Sequence, residues 1–298
     1  MELLKIGEKD YGYAVDFKRN KQLRSSFNRL THKTFGFDFE EWYHHGYWKE
    51  HYIPHALLDG DEVVANVSVS VIDFFVLGEK KRGAQIGTVM TDDGYRNLGL
   101  SRYLMERVLE EWRNKCDSIY LFANDSVLNF YPKFGFVRVD EYQHTKEISG
   151  EKVTSVPEKL DMLNDENRTF LKNRINQSTL LSKFGMSAND SLIMFYYTSF
   201  IMEDVYHLET LNTTVIAEYD NETLCIKEIF SEEEVHLDDV VKAMSNEEVK
   251  KVVMGFTPRD TTSFDVNLKR TGDSLFIWND KEDLIANRQM MFPVLSHA

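Results

Sequence analysis

The sequence is poor in cysteine and has no long apolar run. Two cysteines occur in 298 residues, Cys116 and Cys225, and neither lies in a metal-ligand spacing. We therefore expect a protein of the reducing cytoplasm, in which each thiol is simply packed or exposed. No segment approaches the roughly 18 apolar residues that cross a bilayer, and residues 1–13 lack the apolar stretch of a signal peptide.

Basic charge is also scarce. The chain has 35 Lys and Arg against 49 Asp and Glu, which gives a formal net charge of −14. Such a field repels nucleic acid and favours the approach of a cation. The composition therefore predicts neither a nucleic-acid partner nor a membrane partner, while the hydrophobic share of 42% is enough for real cores.

The length predicts two domains, because domains usually hold roughly 100–200 residues. The segment "KEISGEKVTSVPEK", residues 146–159, is polar, lacks apolar periodicity and contains Pro157. We interpret it as the interdomain linker. The predicted domains are residues 1–148 and 149–298.

The first half alternates between strand-like and helix-like patterns. Its hydrophobic periodicity predicts, in order, a helix at 14–32, strands at 53–58, 62–76 and 83–91, a helix at 101–114, a strand at 118–123, a short helix at 126–133 and a strand at 136–146. Hairpins combined with one crossover helix are typical of an α+β fold with a mixed, mostly antiparallel sheet flanked by helices.

The loop "TDDGYRNLGLS", residues 91–101, joins a predicted strand to a predicted helix. Unpaired backbone N–H groups and the helix dipole favour an anion, best a phosphate, at a helix N-terminus. Gly99 permits close backbone approach, Arg96 offers a charged fork, and Ser101 offers a hydroxyl group. The other common phosphate motifs, G-x-x-x-x-G-K-[ST] and G-x-G-x-x-G, are absent from the sequence.

Two stretches carry a resemblance to a known family. "YRNLGLS" resembles the R/Q-x-x-G-x-G/A loop of the GNAT superfamily of N-acetyltransferases, with Ser101 where Gly or Ala is usual and Asp93 where many members have Pro. "NDSVLNFYPKFGF", residues 124–136, resembles the family's N-x-x-A-x-x-x-Y-x-x-x-G-F, with Val127 in place of Ala. The resemblance covers about residues 1–147.

The resemblance implies one acetyl-CoA site and no metal. It implies direct transfer in a ternary complex, with Tyr131 as the general acid that protonates the leaving thiolate. The residues that it implies for cofactor binding are Val89, Met90, Thr91, Arg96, Asn97, Leu98, Gly99, Leu100, Ser101 and Asn124.

The general base stays open, because the strand "GAQIGTVMT" carries no carboxylate. Asn66, Ser68 and Ser70 alternate along the neighbouring strand; they would either order a water chain or form a solvated face. The apolar tail "RQMMFPVLSHA" is expected to be docked. By loose analogy with enhanced-intracellular-survival acetyltransferases, it would bring His297 or the Ala298 carboxylate to the active site; otherwise it merely packs on the second sheet.

The acceptor is expected near "FGFDFEEWYHHGYWKEHYIPH", residues 35–55. Its Trp42, Tyr43, Tyr47 and Trp48 would either cage a cationic amine or pack in a core, and Glu40 and Glu41 could pair with the amine. The histidines of this segment do not predict a metal site, because Pro54 breaks their helical spacing and no cysteine or second acidic cluster completes the ligand set.

The second half looks like a divergent copy of the first. "TTVIAEYDNETLCIKEIFSEEEVHLDDVVKAM", residues 213–244, again reads as hairpin, loop and helix. Acidic residues occupy its loop and helix start, where they would repel a pyrophosphate: Glu232, Glu233, Glu234, Asp238 and Asp239. We expect two tandem GNAT-like domains, the second degenerate, with a structural role or a role in walling the acceptor pocket.

The predicted function is therefore acetyl transfer from acetyl-CoA to a primary amine, with a cationic small molecule favoured as acceptor. The alternative is a CoA-binding or ligand-sensing module without catalysis, because strand 83–91 has no carboxylate where some members of the family place a glutamate. The sequence does not identify the acceptor or the oligomeric state.

Overall fold

The computed structural model describes residues 2–149, 157–187 and 189–297. Half of the predicted linker, residues 150–156, and the C-terminal residue Ala298 lie outside this description. The elements of the first half are β1 (Glu2–Ile6), β2 (Lys9–Val15), α1 (Lys21–Phe35), α2 (Glu40–His44), β3 (Tyr52–Asp59), β4 (Glu62–Val76), β5 (Glu79–Thr91), α3 (Leu100–Trp112), β6 (Ser118–Ala123), β7 (Phe136–Arg138) and β8 (Tyr142–Glu147).

The second half repeats this mixture. Its elements are β9 (Glu158–Lys159), α4 (Asp165–Gln177), β10 (Ser182–Met186), α5 (Asp190–Ser199), β11 (Val205–Leu208), β12 (Thr213–Asp220), β13 (Thr223–Ser231), α6 (Leu237–Met244), β14 (Lys251–Met254), β15 (Thr257–Pro258), β16 (Asp265–Leu268) and β17 (Ser274–Trp278). Short 3₁₀ turns include Asp125–Val127, Tyr131–Phe134 and Val294–Ser296.

The predicted helix over 14–32 is shifted in the structure. Residues 9–15 form β2, and α1 begins after Asn20, whose side chain accepts hydrogen bonds from the N–H groups of Gln22 and Leu23. The helix ends at Gly36, which adopts the left-handed conformation with φ 83°. The capping residues therefore decide the bounds, and the apolar periodicity alone misplaced the start.

The first sheet has the strand order β1-β2-β3-β4-β5-β6-β17-β7, and β10 pairs with the far end of β4. Its neighbours are antiparallel except for β5 and β6, which are parallel and connected through α3. Side chains alternate between the two faces of the sheet: Leu57 packs in the core under α3, whereas Ala56 and Leu58 pack in the core under α1.

The second sheet repeats this arrangement in the order β16-β8-β14-β13-β12-β11-β9. Strands β13 and β14 are its parallel pair, with α6 as the crossover helix, as α3 is for β5 and β6. The fold is therefore α+β, with two GNAT-like units of mostly antiparallel sheet. This confirms the expectation from the sequence that the second half repeats the fold of the first.

The two sheets do not divide at one point of the chain: β8 and β17 lie in the opposite sheets, and β10 and β15 of the second half also join the first sheet. β8 follows β7 in the chain but lies in the second sheet, between β14 and β16. β17 follows β16 but lies in the first sheet, between β6 and β7. The strand predicted at 136–146 is thus two strands in different sheets, and the division between the sheets does not coincide with residue 148.

Within the described ranges, no helix combines the length and the apolar character needed to cross a bilayer. The longest, α1, has 15 residues.

Candidate functional site at the divergence of two strands

A cleft opens where β5 and β6 separate. The two strands pair only from Gly83 with Ser118 to Gln85 with Tyr120. Beyond that point a cavity of about 780 Å³ lies between them. The first half lines it with Thr34, Phe35, Phe37, residues 85–91, Arg96, Ser101, Phe122, Asn124, Ser126, Val127, Phe130 and Tyr131; the second half adds Phe195, Tyr196, Phe200, Asp273 and His297. A cleft of this size accommodates a large ligand.

A β-bulge in β5 faces this cavity. Asn66 pairs with Met90 and Ser68 pairs with Gly87, so Thr88 and Val89 together oppose a single residue of β4. Thr88 has a φ of 47°, and its carbonyl accepts a hydrogen bond of 2.9 Å from Asn66 Nδ2. The bulge removes backbone groups of β5 from the sheet ladder, so they become available to a ligand in the cleft.

The loop and the start of α3 form one end of the cleft. Gly99 is the N-cap of α3 in the left-handed conformation, with φ 82° and without a side-chain cap. The first-turn N–H groups of α3 therefore have no capping side chain and can bind an anion. The Ser101 hydroxyl lies 2.6 Å from the Thr91 hydroxyl, which ties the helix start to the end of β5.

Charged side chains stand at this end. Arg96 forms an ion pair of 2.8 Å with Asp93, and its side chain is 65% exposed. Lys33 of α1 pairs with Asp92 at 2.8 Å and with Asp93 at 3.1 Å. Sequence reasoning missed Lys33, because nothing in the pattern of α1 connects it to the loop. An anionic ligand would compete with these aspartates for both cations.

Seven of the residues predicted from the sequence line the cleft: Val89, Met90, Thr91, Arg96, Ser101, Asn124 and Tyr131. Four others are not among its lining residues: Asn97, Leu98, Gly99 and Leu100. Leu100 is 1% exposed and packs in the core under α3, whereas Leu98 is 52% exposed. For these four, only a backbone contact with a ligand remains as a proposal.

Tyr131 lies in the wall of the cleft and is 7% exposed. Burial raises its pKa to about 12, and the negative charge of Asp273 acts in the same direction. Its ring packs edge-on against Phe130, with centroids 5.2 Å apart. Tyr131 therefore keeps its proton at neutral pH, as a general acid must.

Asn124 follows β6 on the opposite side of the cleft from β5. Its Oδ1 accepts hydrogen bonds from Ser126 N at 3.1 Å and from Ser126 Oγ at 2.5 Å, and the residue is exposed. The amide group is thereby oriented at the end of the strand, where its Nδ2 atom can meet a ligand.

The polar row on β4 is buried. Asn66 and Ser68 are fully buried and Ser70 is 6% exposed, so the alternative of a solvated sheet face is wrong. Asn66 Nδ2 donates to Ser68 Oγ at 2.9 Å, while Asn66 Oδ1 is buried without a partner among the described residues. A free buried acceptor of this kind is suited to an ordered water.

Of the two alternatives for the aromatic segment, a cage or a packed core, the structure shows packing for Trp42, Tyr43 and Trp48. Trp42 and Trp48 stack with centroids 5.6 Å apart and are 3% and 4% exposed. The Arg24 guanidinium lies 3.6 Å from the centre of the Tyr43 ring and also binds Glu40, which lowers the pKa of that carboxyl group. These residues build the core because their faces and charges find partners within the protein.

Histidines of the same segment also have local partners. His44 pairs with Glu40 at 3.2 Å and His45 with Glu41 at 3.6 Å. In the part of the chain that the structure describes, no group of three or more His, Cys, Asp or Glu side chains could hold a metal ion.

A second, smaller cavity of about 50 Å³ adjoins the cleft. The two share Phe37, Thr88 and Phe195 as lining residues. The smaller cavity is otherwise lined by Phe39, Trp42, His51, Tyr52, Ser70, Val71, Ile72, Asn189, Ser191 and Leu192. It is largely apolar and meets the cleft at the bulge.

The second half supplies one wall of the cleft, and of its residues the sequence had named only His297. Phe195, Tyr196 and Phe200 belong to α5 and its end, and Asp273 directly precedes β17. The only sequence signal for this wall was the apolar C-terminal tail.

The C-terminal tail is docked, as its composition predicted. Met291, Phe292 and Ser296 are fully buried, and the His297 ring stacks on Phe122 with centroids 3.5 Å apart. Tyr196 donates a hydrogen bond from its hydroxyl to the His297 carbonyl. Burial holds the pKa of His297 well below its usual range, and the Lys269 charge lowers it further. A histidine of such low basicity is a weak proton acceptor.

The corresponding region of the second half differs. Glu233 stands three residues before the N-cap of α6, as Arg96 stands three before that of α3. Where β13 and β14 separate, the tail closes the gap: Val294 N donates to Gly255 O at 2.8 Å. A Cβ on Gly255 would lie 2.7 Å from Val294 Cγ2. This copy therefore lacks both the charge and the space that the first copy has.

Comparison with known proteins agrees with this geometry. Residues 19–136 match the family model of the acetyltransferase (GNAT) family. A search of curated proteins finds no match. The matched segment contains α1, the bulged strand, the loop, α3 and Tyr131, so the first half of the chain is similar to the acetyltransferase domains of this family.

Solved structures match over nearly the whole chain. A conserved protein of unknown function from Enterococcus faecalis V583 has a TM-score of 0.58 at 14% identity, covering 89% of this chain and 72% of its own. Eis1 from Mycobacterium abscessus has a TM-score of 0.54 at 12% identity, covering 89% and 73%. A GCN5-related N-acetyltransferase from Kribbella flavida has 0.52 at 16% identity, covering 90% and 71%. Because the identities are low, these likenesses show the two-unit fold and nothing finer.

Proposed function

We propose that this protein is an N-acetyltransferase that moves an acetyl group from acetyl-CoA to a primary amine of a small molecule, by direct transfer in a ternary complex. The observation that carries the proposal is the cleft between β5 and β6. It combines a bulged strand edge, an uncapped helix start beside Arg96, and a buried protonated tyrosine. We place the reaction in the cytoplasm, in agreement with the few cysteines.

The residues present fit acetyl-CoA. The N–H groups at the start of α3, together with Arg96 and Ser101, would hold the pyrophosphate, since helix starts and guanidinium groups both favour phosphate. The unpaired edge of β5 from Val89 to Thr91 would pair with the amides of the pantetheine arm. Asn124 would contact the arm from the other side of the cleft.

Backbone N–H groups at the bulge would stabilise the oxyanion that forms during acyl transfer. Donors of this kind are effective because the protein fixes them before the reaction begins. Tyr131 would deliver its proton to the departing thiolate, whose pKa is roughly 8.5 like that of a cysteine. Neither cysteine lines the cleft, which supports direct transfer without an acyl-enzyme intermediate.

The amine must lose a proton before it attacks. We propose that water takes it, held by Asn66 and the hydroxyl groups of Ser68 and Ser70, because Asn66 Oδ1 is a buried acceptor without a protein partner among the described residues. His297 lies in the cleft, but the direction of its pKa shift makes it a poor base.

The acceptor would approach from the side of α5 and the smaller cavity. The net charge of −14 attracts a cationic amine from solution toward the protein. Phe37, Phe39 and Phe195 in the smaller cavity would receive an apolar part of that molecule. The second copy would then act as structure and as the wall of the acceptor pocket.

Turnover and binding measured together test this proposal. Acetyl-CoA consumption would be followed as free thiol release across a panel of primary amines, and CoA affinity would be measured by calorimetry. We expect turnover with at least one amine. Tight CoA binding with no turnover on any amine would instead favour the ligand-sensing alternative, and absence of CoA binding would contradict both.

A further inference from the structure

An isolated carboxyl group lies in a cavity of the second half. Glu228 of β13 lines a cavity of about 150 Å³, separate from the cleft. The cavity wall comes from β4, α4, the loop after it, β10, the start of α5 and β13: Phe75, Ile175, Asn176, Ser178, Thr179, Leu180, Leu181, Ser182, Met186, Ser187, Asn189, Ile193, Ile229 and Phe230.

A β-bulge in β13 lies next to Glu228. Ile216 pairs with Glu228 and Ala217 with Ile226, so Lys227 is the extra residue of the bulge. Lys227 binds Asp204 at 2.6 Å and Glu218 at 3.0 Å. The nearest basic residue in the chain is therefore already paired and does not neutralise Glu228.

The basic residue that directly precedes the lining residues of α4 is paired as well. Arg174 of α4 binds Glu232 at 2.9 Å. Among the described residues, the Glu228 carboxylate accepts a hydrogen bond from a backbone group, the Ile229 N–H, at 3.1 Å. No lysine, arginine or histidine occurs among the described residues that line the cavity. Burial raises the pKa of Glu228 to about 7.

Glu228 is half-buried, and a nearby cation would favour the charged form of its carboxylate. The rest of the wall would suit a small molecule, since hydroxyl and amide side chains alternate with apolar ones. We propose that this cavity is a second ligand site, in which Glu228 binds the ammonium group of a small alkylamine.

Asn189 connects this site with the smaller cavity beside the cleft. It lines both cavities and is the N-cap of α5, where its side chain accepts a hydrogen bond of 3.4 Å from Leu192 N. Leu192 and Phe195 of the same helix line the smaller cavity. An amine at Glu228 would therefore share its cavity with the residue that begins the acceptor wall. The site itself does not depend on the proposed acetyl transfer.

Calorimetry with propylamine hydrochloride at pH 8 tests the site in the whole chain. The variants are Glu228→Gln, which keeps the shape of the side chain, and Glu222→Gln, which removes an equal charge from the exposed turn before β13. We expect Glu228→Gln to weaken binding at least tenfold and Glu222→Gln to leave it unchanged. Equal affinity in both variants would overturn the proposal. A wild-type protein that does not bind propylamine with a Kd of about 1 mM or lower would overturn it too.

The wild-type protein alone provides a second measurement. Propylammonium stays charged over the whole range from pH 8 to pH 5.5, whereas Glu228 becomes protonated in that range. Affinity should therefore fall as the pH is lowered through about 7. Binding that does not change between pH 8 and pH 5.5 would place the amine elsewhere and overturn the assignment to Glu228, whether or not the variant folds.

Discussion

Lys269 donates a hydrogen bond from Nζ to Glu141 Oε2 at 2.8 Å, at the place where the two exchanged strands cross between the sheets. Glu141 directly precedes β8, and Lys269 directly follows β16. Their side chains are 4% and 10% exposed. Lys269 N also donates to the Glu141 carbonyl at 2.9 Å, and Glu141 Oε1 accepts from Phe292 N at 3.0 Å. This pair thus joins both crossing strands to the C-terminal tail.

Breaking this pair on one side should destabilise the protein strongly. Glu141→Gln leaves the Lys269 charge buried without a counter-ion, which costs about 3–5 kcal/mol of unfolding free energy. The double variant Glu141→Gln with Lys269→Met should recover much of that loss. Urea denaturation measures both. The control is Lys146→Met at the exposed pair with Asp238, where a loss below about 1 kcal/mol is expected; an equal loss there would contradict the assignment.

Arg96→Ala should weaken acetyl-CoA binding. A charged hydrogen bond to phosphate contributes about 1.5–3 kcal/mol, which corresponds to roughly 10- to 100-fold in Kd. Asp93→Asn should leave the affinity unchanged or improve it, because Asp93 now competes for the guanidinium. Calorimetry with acetyl-CoA gives both values.

Glu233→Ala is the matched control, since Glu233 holds the corresponding position before α6. It should leave Kd for acetyl-CoA unchanged. If it weakened binding as much as Arg96→Ala, the first copy would not be the one that binds the cofactor.

Tyr131→Phe should lower kcat while acetyl-CoA affinity stays within about twofold. Loss of a general acid typically costs 10²–10⁴ in rate, roughly, and the ring contacts with Phe130 survive the change. Tyr219→Phe, which removes a hydroxyl from the second half, should leave kcat unchanged. Unaltered kcat in Tyr131→Phe would exclude the tyrosine as the acid.

His297→Phe should retain most activity. The new ring can still stack on Phe122 and fill the wall of the cleft, and the lost nitrogen atoms belong to a group whose pKa lies well below its usual range. Steady-state kinetics over pH 6 to 9 check this. A fall in kcat of more than about tenfold, with the melting temperature unchanged, would identify His297 as the proton acceptor after all.

His55 should make the protein sensitive to acid. It is fully buried, its Nδ1 lies 2.7 Å from the Tyr13 hydroxyl, and burial lowers its pKa to about 4. The unfolded chain binds a proton near pH 6.5 and the folded protein does not, so this stability is present above pH 6.5 and is lost as the pH falls toward 4.

The comparison with His55→Gln isolates this contribution. Between pH 7 and pH 4, the unfolding free energy of the wild type should fall relative to the variant by something on the order of 3 kcal/mol. Chemical denaturation at a series of pH values gives the difference curve. A difference that stays constant with pH would contradict a depressed pKa at His55.

The continuous run from β3 to β6 could be predicted almost entirely from the sequence. Strands at 62–76 and 118–123 were predicted with their exact bounds, and α3 was displaced by only one or two residues. Hairpin turns, alternation and a helical apolar stripe are local signals, so they act without knowledge of the rest of the fold. Because its signals are also local, the loop around Arg96 and Gly99 could be predicted from the sequence as a candidate anion site.

The strand exchange was decided by the tertiary structure alone. β8 and β17 are each five or six residues long and extended, and such a strand can pair in either sheet. Which sheet it joins depends on backbone hydrogen bonds to β14 or β6 and on ion pairs such as Glu141 with Lys269, all of which are distant in the sequence.

The surroundings of the cleft were decided in the same way. The sequence alone determined the local groups of the site: the bulge-bearing strand, the loop, the helix start and Tyr131. Only the tertiary structure placed Phe195 and Asp273 beside them and decided that His297 of the tail lines the same cleft. It also placed Glu228 in a cavity whose described lining residues include no basic side chain. The physical reason is that burial and charge pairing depend on neighbours in space, and residues more than a hundred positions apart become neighbours only when the two sheets pack together.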